Sequence, residues 1–205
     1  MDTFQRSDLP WVPDGWRTKA HRVLVLGESA YTGGSPPENA LAANWVPAYL
    51  REEVRDPLYS KVANAISGPT QGNGLKARHD FWNTVAFANL VMLAEGSLPD
   101  TEPSAAEYRA AAGFLGAILD DLRPIGVWIW GIRQAKYSRP VVDRAKIANV
   151  VVAHPVRGYS RVLAESWQEL LTVMEPAWHE EIGRQLENAP RTDYWPHGRE
   201  GPTTH

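Results

Sequence analysis

The chain has 205 residues, 43% hydrophobic and 22% charged, a balance that fits one globular domain with one sizeable core. It has no cysteine, which excludes disulfides, thiolate zinc sites, iron–sulfur clusters and a cysteine nucleophile. Its formal net charge of −3 argues against a protein that coats nucleic acid through charge alone, and confines any DNA contact to a local patch.

In chain order, the segment up to about Ala20 is rich in proline and tryptophan and is expected to wrap the surface. It lacks the basic-then-apolar pattern of a secretory leader. HRVLVLG (21–27) reads as a buried parallel strand closed by glycine, delivering Glu28, Ser29 and Tyr31 into a tight turn. GGSPP (33–37) is a loop, and 38–67 reads as helical pieces with Pro47 and Pro57 marking starts or breaks. SGPTQGNGL (67–75) reads as a loop, TVAFANLVML (84–93) as a second strand, and EGSLPDTEP (95–103) as a further loop. SAAEYRAAAGFLGAILDDL (104–122) is the clearest helix: Ser104 and Glu107 form a capping-box pattern, Leu115, Ile118, Leu119 and Leu122 recur at helical spacing, and Pro124 ends it. IGVWIWG (125–131) and NVVVAHP (149–155) are the third and fourth strands. SRVLAESWQELLTVM (160–174) is a helix with Leu163, Trp167, Leu170, Leu171 and Met174 on one face, and a further helix is expected from Ala177 to about Leu186. The tail from Ala189 is expected to be disordered, leaving 1–188 as the domain. The nine tryptophans are expected mostly in the core or in pocket walls.

Apolar strands alternating with helices predict a single-domain α/β fold, a central four-stranded parallel sheet with helices on both faces. No apolar run approaches the ~20 residues of a membrane span, so no membrane partner is expected and the cytoplasm is the expected location. Ligands of such sheets bind beyond the carboxyl ends of the strands. That rule selects the turn after Leu26, the end of the second strand near Asn89, the residues from Gly131 onward, and His154-Pro155.

Several familiar chemistries fail at the first of these places. A nucleophile elbow needs glycine where Tyr31 stands, and neither a phosphate-binding loop nor a dinucleotide fingerprint is present. Glu28 alone reads equally as a carboxylate that interacts with the amides of a helix N-terminus. The histidines other than His154 (His21, His79, His179, His197 and His205) show no spacing for a third ligand, so no metal is expected. Asn89 is an amide inside an apolar run and needs partners there, or reads a ligand with its donor and acceptor. Arg157 and Arg161 flank a helix start that Ser160 can cap, a natural anion site.

Taken together, GESAY (27–31), AFAN (86–89), WGIRQAK (130–136) and HPVRGYSR (154–161) stand in an order that resembles the uracil-DNA glycosylase superfamily, over roughly residues 20–175. The resemblance implies that Tyr31 walls the 5-position of a pyrimidine, that Asn89 reads the flipped base, and that His154 contacts the base carbonyl as negative charge develops on it. Ser29 stands where one branch has a water-activating aspartate, and Glu28 where other branches have a glutamate. Glu28 is therefore the expected acid, with Ser29 beside it. Val156 replaces the serine that often follows His-Pro, the lack of cysteine separates the chain from the iron–sulfur branches, and residues 33–80 do not resemble the best-known uracil-specific members.

A flipped base needs an aromatic surface, for which Phe81 and Trp82 are preferred over Trp45 and Phe87. Arg157 or Tyr159 would fill the hole left in the duplex, and Arg133 and Lys136 would contact phosphate. The implied activity is that of a monofunctional DNA glycosylase that needs no cofactor and removes a uracil-like or modified pyrimidine, leaving an abasic site. Repair of deaminated bases and attack on phage DNA with hypermodified cytosine both fit this chemistry. A catalytically inactive DNA- or nucleotide-binding module is the alternative that Ser29 favours, and an unrelated flavodoxin-like enzyme is a third.

Overall fold

The apolar runs of the sequence become the strands of one sheet: β1 (Val23–Ala30), β2 (Val85–Met92), β3 (Gly126–Trp130) and β4 (Ala148–Val152). In the computed structural model of the protein, the described residues are 10–30, 42–67, 74–92, 102–156 and 158–187. The four strands are all parallel, in the spatial order β2-β1-β3-β4. Among the described residues six α-helices accompany them: α1 (Ala42–Leu50), α2 (Pro57–Ser67), α3 (Gly74–Trp82), α4 (Ala105–Leu122), α5 (Ile132–Arg144) and α6 (Ser160–Glu187). The expected α/β layout with helices on both faces is therefore present.

Each face carries its own core. One combines Val23, Val25, Val85 and Phe87 with residues of α1, α2, α3 and α6. The other combines Leu24, Leu26, Ala86 and Ala88 with Tyr108, Leu115, Leu119 and Leu122 of α4 and with Ala135 and Val142 of α5. Alternate residues of the same strand serve opposite cores, which is why these strands read as unbroken apolar runs. The first core is aromatic: Trp82 packs edge-on against Phe87 and Trp130, and Trp128 edge-on against Trp130 and Trp167. Because β1 is followed in space by β2 on one side and by β3 on the other, the topology switches direction between β1 and β3.

Local signals explain most boundaries. The Ser104 hydroxyl accepts from the Glu107 amide at 3.2 Å while the Glu107 carboxylate accepts from the Ser104 amide at 2.7 Å, completing the expected capping box of α4. Asp56 receives the amides of Leu58 and Tyr59 at the start of α2, where Pro57 sits without needing an amide proton. The N-terminal segment wraps an edge of the sheet: Trp11 and Phe87 exchange backbone hydrogen bonds of 2.8 and 3.0 Å, covering the outer side of β2. Trp16 is buried, its indole N–H donating to Leu122 O at 2.8 Å.

Four sequence expectations change. The strand does not close at Gly27; β1 runs on to Ala30, pairing Ser29 with Val91 and Ala30 with Met92, because β2 still offers partners after the pairing with β3 has ended. Pro47 lies within α1 rather than at a boundary. Residues 160–187 form one helix through Pro176, not two, since a proline removes one backbone bond while packing on both sides of it holds the helix. Gly74, expected in a loop, begins α3. The expected loop at 33–37 and the tail from 189 lie outside the described residues.

Packing of α6 includes a buried ion pair. Arg22, at the head of β1, donates to Glu181 at 2.8 Å with both side chains less than one-tenth exposed, and its Nε donates to Arg123 O at 2.9 Å. Removing one member strands a buried charge. Glu181→Ala is expected to lower stability by about 3 kcal/mol, read as a lower urea midpoint with an unchanged slope.

Candidate functional site

The pairing of β1 with β3 ends at Leu26 and Ile129, while β1 continues along β2 and β3 turns into α5. The backbone pairing lapses there, leaving a break in the ladder at the switch point. Gln134 of α5 spans it: its side-chain amide, wholly buried, donates to Leu26 O at 2.9 Å and to Trp130 O at 2.5 Å. These are carbonyls that the diverging strands no longer pair.

Glu28 follows immediately. By alternation it lies on the α4/α5 face, and the hydroxyl of buried Tyr108 donates to its carboxylate. Tyr108 is itself stacked on Tyr137 of α5, the ring centroids 5.0 Å apart and the planes 9° apart. The other carboxylate oxygen lies 3.3 Å from where a Cβ on Gly131 would stand. Gly131 is the N-cap of α5, at φ 117° and without a side-chain cap. The Glu28 carboxylate therefore lies beside the start of α5, where helix amides point.

Asn89 stands on the opposite face of the sheet. It pairs with Gly27 in register and is 9% exposed. A Cβ on Gly27 would overlap its Oδ1 and would sit 3.1 Å from the Phe87 ring, so the glycine that ends the apolar run makes room for the amide. Ser29 shares this face by alternation, two residues beyond Gly27.

His154 follows β4, half-buried, ahead of buried Pro155. The Val156 amide donates to its Nδ1 across a long 3.4 Å. Lys61 of α2 supports the loop from within, donating to Pro155 O at 2.7 Å and Gly158 O at 2.5 Å.

The structure thus brings Glu28, Ser29, Asn89 and His154 to one edge of the sheet, distributed over both faces. It takes Phe81 and Trp82 elsewhere. They are 2% and 0% exposed, held edge-on to one another and to Trp128, Trp167, Phe87 and Trp130, and neither offers a free face for stacking. Their apolar area is satisfied by the core. Phe87 lies against Gly27, nearer the edge, though it too is buried. Trp45 is partly buried and donates to Asp56 at 3.2 Å. Tyr31 and Arg157 lie outside the described residues.

Of the expected DNA contacts, Tyr159 is 80% exposed beside the loop and Lys136 is exposed on α5. Arg161 donates to Glu165 at 2.6 Å and Arg133 to Glu102 at 2.7 Å. The hydrogen bond that Arg133 donates to Glu102 is the main cause holding its guanidinium above its ordinary pKa, with Glu28 adding to it, and the bond to Glu165 does the same for Arg161. Both pairs are exposed and therefore weak, so a phosphate can compete for either arginine.

Tyr108, Gln134 and Lys61 are the contributors that sequence reasoning missed. Tyr108 had a signal, since it continues the stripe of Leu115, Leu119 and Leu122 at helical spacing yet carries a hydroxyl. Gln134 stands within WGIRQAK. Lys61 has none, being 94 residues from its first acceptor.

Fold and site together define an α/β protein with a four-stranded parallel sheet, helices on both faces, and polar residues at the carboxyl ends of its strands. No protein-family model matches the chain, and no curated protein matches it. No helix among the described residues is long and apolar enough to cross a membrane. No group of three or more histidine, aspartate or glutamate side chains among them is arranged to hold a metal ion.

Gln134→Met keeps the volume but leaves the Leu26 and Trp130 carbonyls without their donor. It is expected to destabilise the fold by about 1–3 kcal/mol per carbonyl, measured by chemical unfolding.

Proposed function

We propose that the protein is a monofunctional DNA glycosylase that takes a uracil-like or modified pyrimidine base out of the DNA stack and hydrolyses its N-glycosidic bond, leaving an abasic site. The observation that carries this reading is the gathering of a carboxylate, an amide and an imidazole at the carboxyl ends of β1, β2 and β4, in the order of the glycosylase-like motifs.

The chemistry suits those groups. Breaking the bond between C1′ and the base nitrogen leaves positive charge on the sugar and negative charge on the base. The Glu28 carboxylate faces the sugar, stabilises the developing cation, orients water toward C1′ and accepts the proton that the water loses. His154, as a hydrogen-bond donor, stabilises the anion on the base carbonyl, and Asn89 reads the base edge with its donor and acceptor. Preorganised donors of this kind are worth several kcal/mol each. DNA is the partner, through Tyr159, Lys136, Arg133, Arg161 and Arg157. Both settings remain chemically suitable, repair of deaminated bases and attack on phage DNA carrying hypermodified cytosine.

One observation favours a second reading, a DNA- or nucleotide-binding module without catalysis. Glu28 is hydrogen-bonded by Tyr108 and lies at the N-terminus of α5, which gives the carboxylate a structural occupation.

Duplex and single-stranded oligonucleotides carrying uracil, thymine mispairs, hypoxanthine, hydroxymethylcytosine or glucosylated cytosine separate the readings. Base release is scored as alkali-labile strand breaks. The glycosylase releases at least one base, and Glu28→Gln and His154→Ala each slow release by at least ~10²-fold. Binding without release from any substrate leaves the module. Asn89→Asp is expected to alter base preference in the same assay; unchanged selectivity would remove its reading role.

A further inference from the structure

We infer that Lys61 is a positioning residue that clamps the His154 loop to the helical layer and so sets where the imidazole stands. The clamp is independent of the reaction; its consequence for catalysis rests on the glycosylase reading above.

The loop from His154 to Tyr159 joins β4 to α6, with Pro155 buried and Val156 and Tyr159 turned outward. Val156 is 66% exposed and Tyr159 80% exposed, so neither anchors it by packing. Its local hydrogen bonds are the Gly158 amide to His154 O at 3.1 Å and the long contact from the Val156 amide to His154 Nδ1. Both of these bonds stay within the loop.

Lys61 supplies a tie. It is half-buried on α2, whose Tyr59 and Val62 belong to the same core as Leu163 and Trp167 of α6. Its ammonium reaches Pro155 O and Gly158 O, one on each side of the turn, at 2.7 and 2.5 Å. Two carbonyl oxygens held near one point repel each other unless a cation lies between them. An ammonium carries three donors, enough for both, and bonds from a charged donor are roughly twice as strong as neutral ones. Pro155 adjoins His154 directly, and Gly158 returns a hydrogen bond to the His154 carbonyl. Fixing these two carbonyls therefore fixes the backbone on both sides of the imidazole.

The test is hydrogen exchange of the full chain, read peptide by peptide, for wild type, Lys61→Met, Lys61→Gln and Lys61→Arg. Methionine keeps the stem and removes the charge; glutamine keeps donors but shortens the reach. Both are expected to raise amide exchange over residues 154–159 by about 10- to 100-fold, as loss of one or two charge-assisted bonds implies. Exchange over β4 should stay unchanged, and Lys61→Arg should restore most of the protection. Wild-type exchange at 154–159 in both Lys61→Met and Lys61→Gln overturns the clamp, as does a rise spread evenly over the whole chain. On an oligonucleotide that the wild type cleaves, Lys61→Met should lower kcat by about 10-fold or more with KM little changed, because His154 acts on charge that develops only in the transition state. A fall confined to KM overturns the catalytic part. If no protein cleaves any substrate while loop exchange still rises, the clamp stands and the glycosylase reading falls.

Discussion

The split between β1 and β3 is the constraint on which the rest of the site depends. A parallel sheet satisfies its backbone only while strands stay side by side, and carbonyls left behind at a split must find other donors. Here β1 remains with β2 for four residues after Leu26, while β3 turns at Gly131 into α5. Gln134 closes the gap with one side-chain amide bonded to a carbonyl from each strand. Because the split is bridged at its base, the residues just beyond it can diverge without unravelling the sheet. Glu28 is one of them, and the turn at Gly131 is another.

Two glycines make that arrangement sterically possible, for different reasons. Gly27 has extended backbone, and what matters is the space where a Cβ would be, filled by the Asn89 amide and the Phe87 ring. Gly131 sits at φ 117°, a conformation that side chains rarely adopt, and its missing Cβ lets the Glu28 carboxylate approach the start of α5. On either side of the sheet, the aromatic core around Trp82, Trp128 and Trp130 and the aliphatic core under α4 hold the strands in place. Glu28 and Asn89 sit directly on those strands, whereas His154 stands on the loop past β4.

Much of the fold was legible because parallel strands buried on both faces read as continuous apolar runs, and because Ser104 and Glu107 announce the start of α4. The end of β1 was not. Gly27 looked like a terminator, whereas its glycine identity answers to a neighbouring strand, and no local pattern distinguishes the two causes. Pro176 misled in the same way: whether a proline breaks a helix depends on the packing around it, here Met174 against Gly126 and Trp178 against His21. At the site, Glu28, Asn89 and His154 were legible as polar residues at the ends of apolar runs. Phe81 and Trp82 were misread because an aromatic ring near a candidate site has the same sequence signature whether it faces a ligand or the core. Lys61 was invisible, since its acceptors are backbone carbonyls, which carry no side-chain signature.

The two faces of the sheet divide the chemistry. The Glu28 carboxylate lies toward α4 and α5, where the Tyr108 hydroxyl donates to it beside the start of α5. The Asn89 amide lies toward α1, α2 and α3, on the face of the aromatic core. The imidazole is carried on neither face but on the loop past β4. On the glycosylase reading proposed above, the groups that would face the sugar and the base come from opposite faces of the sheet. The Glu28 carboxylate is held by the hydroxyl of buried Tyr108, which sets its direction beside the start of α5.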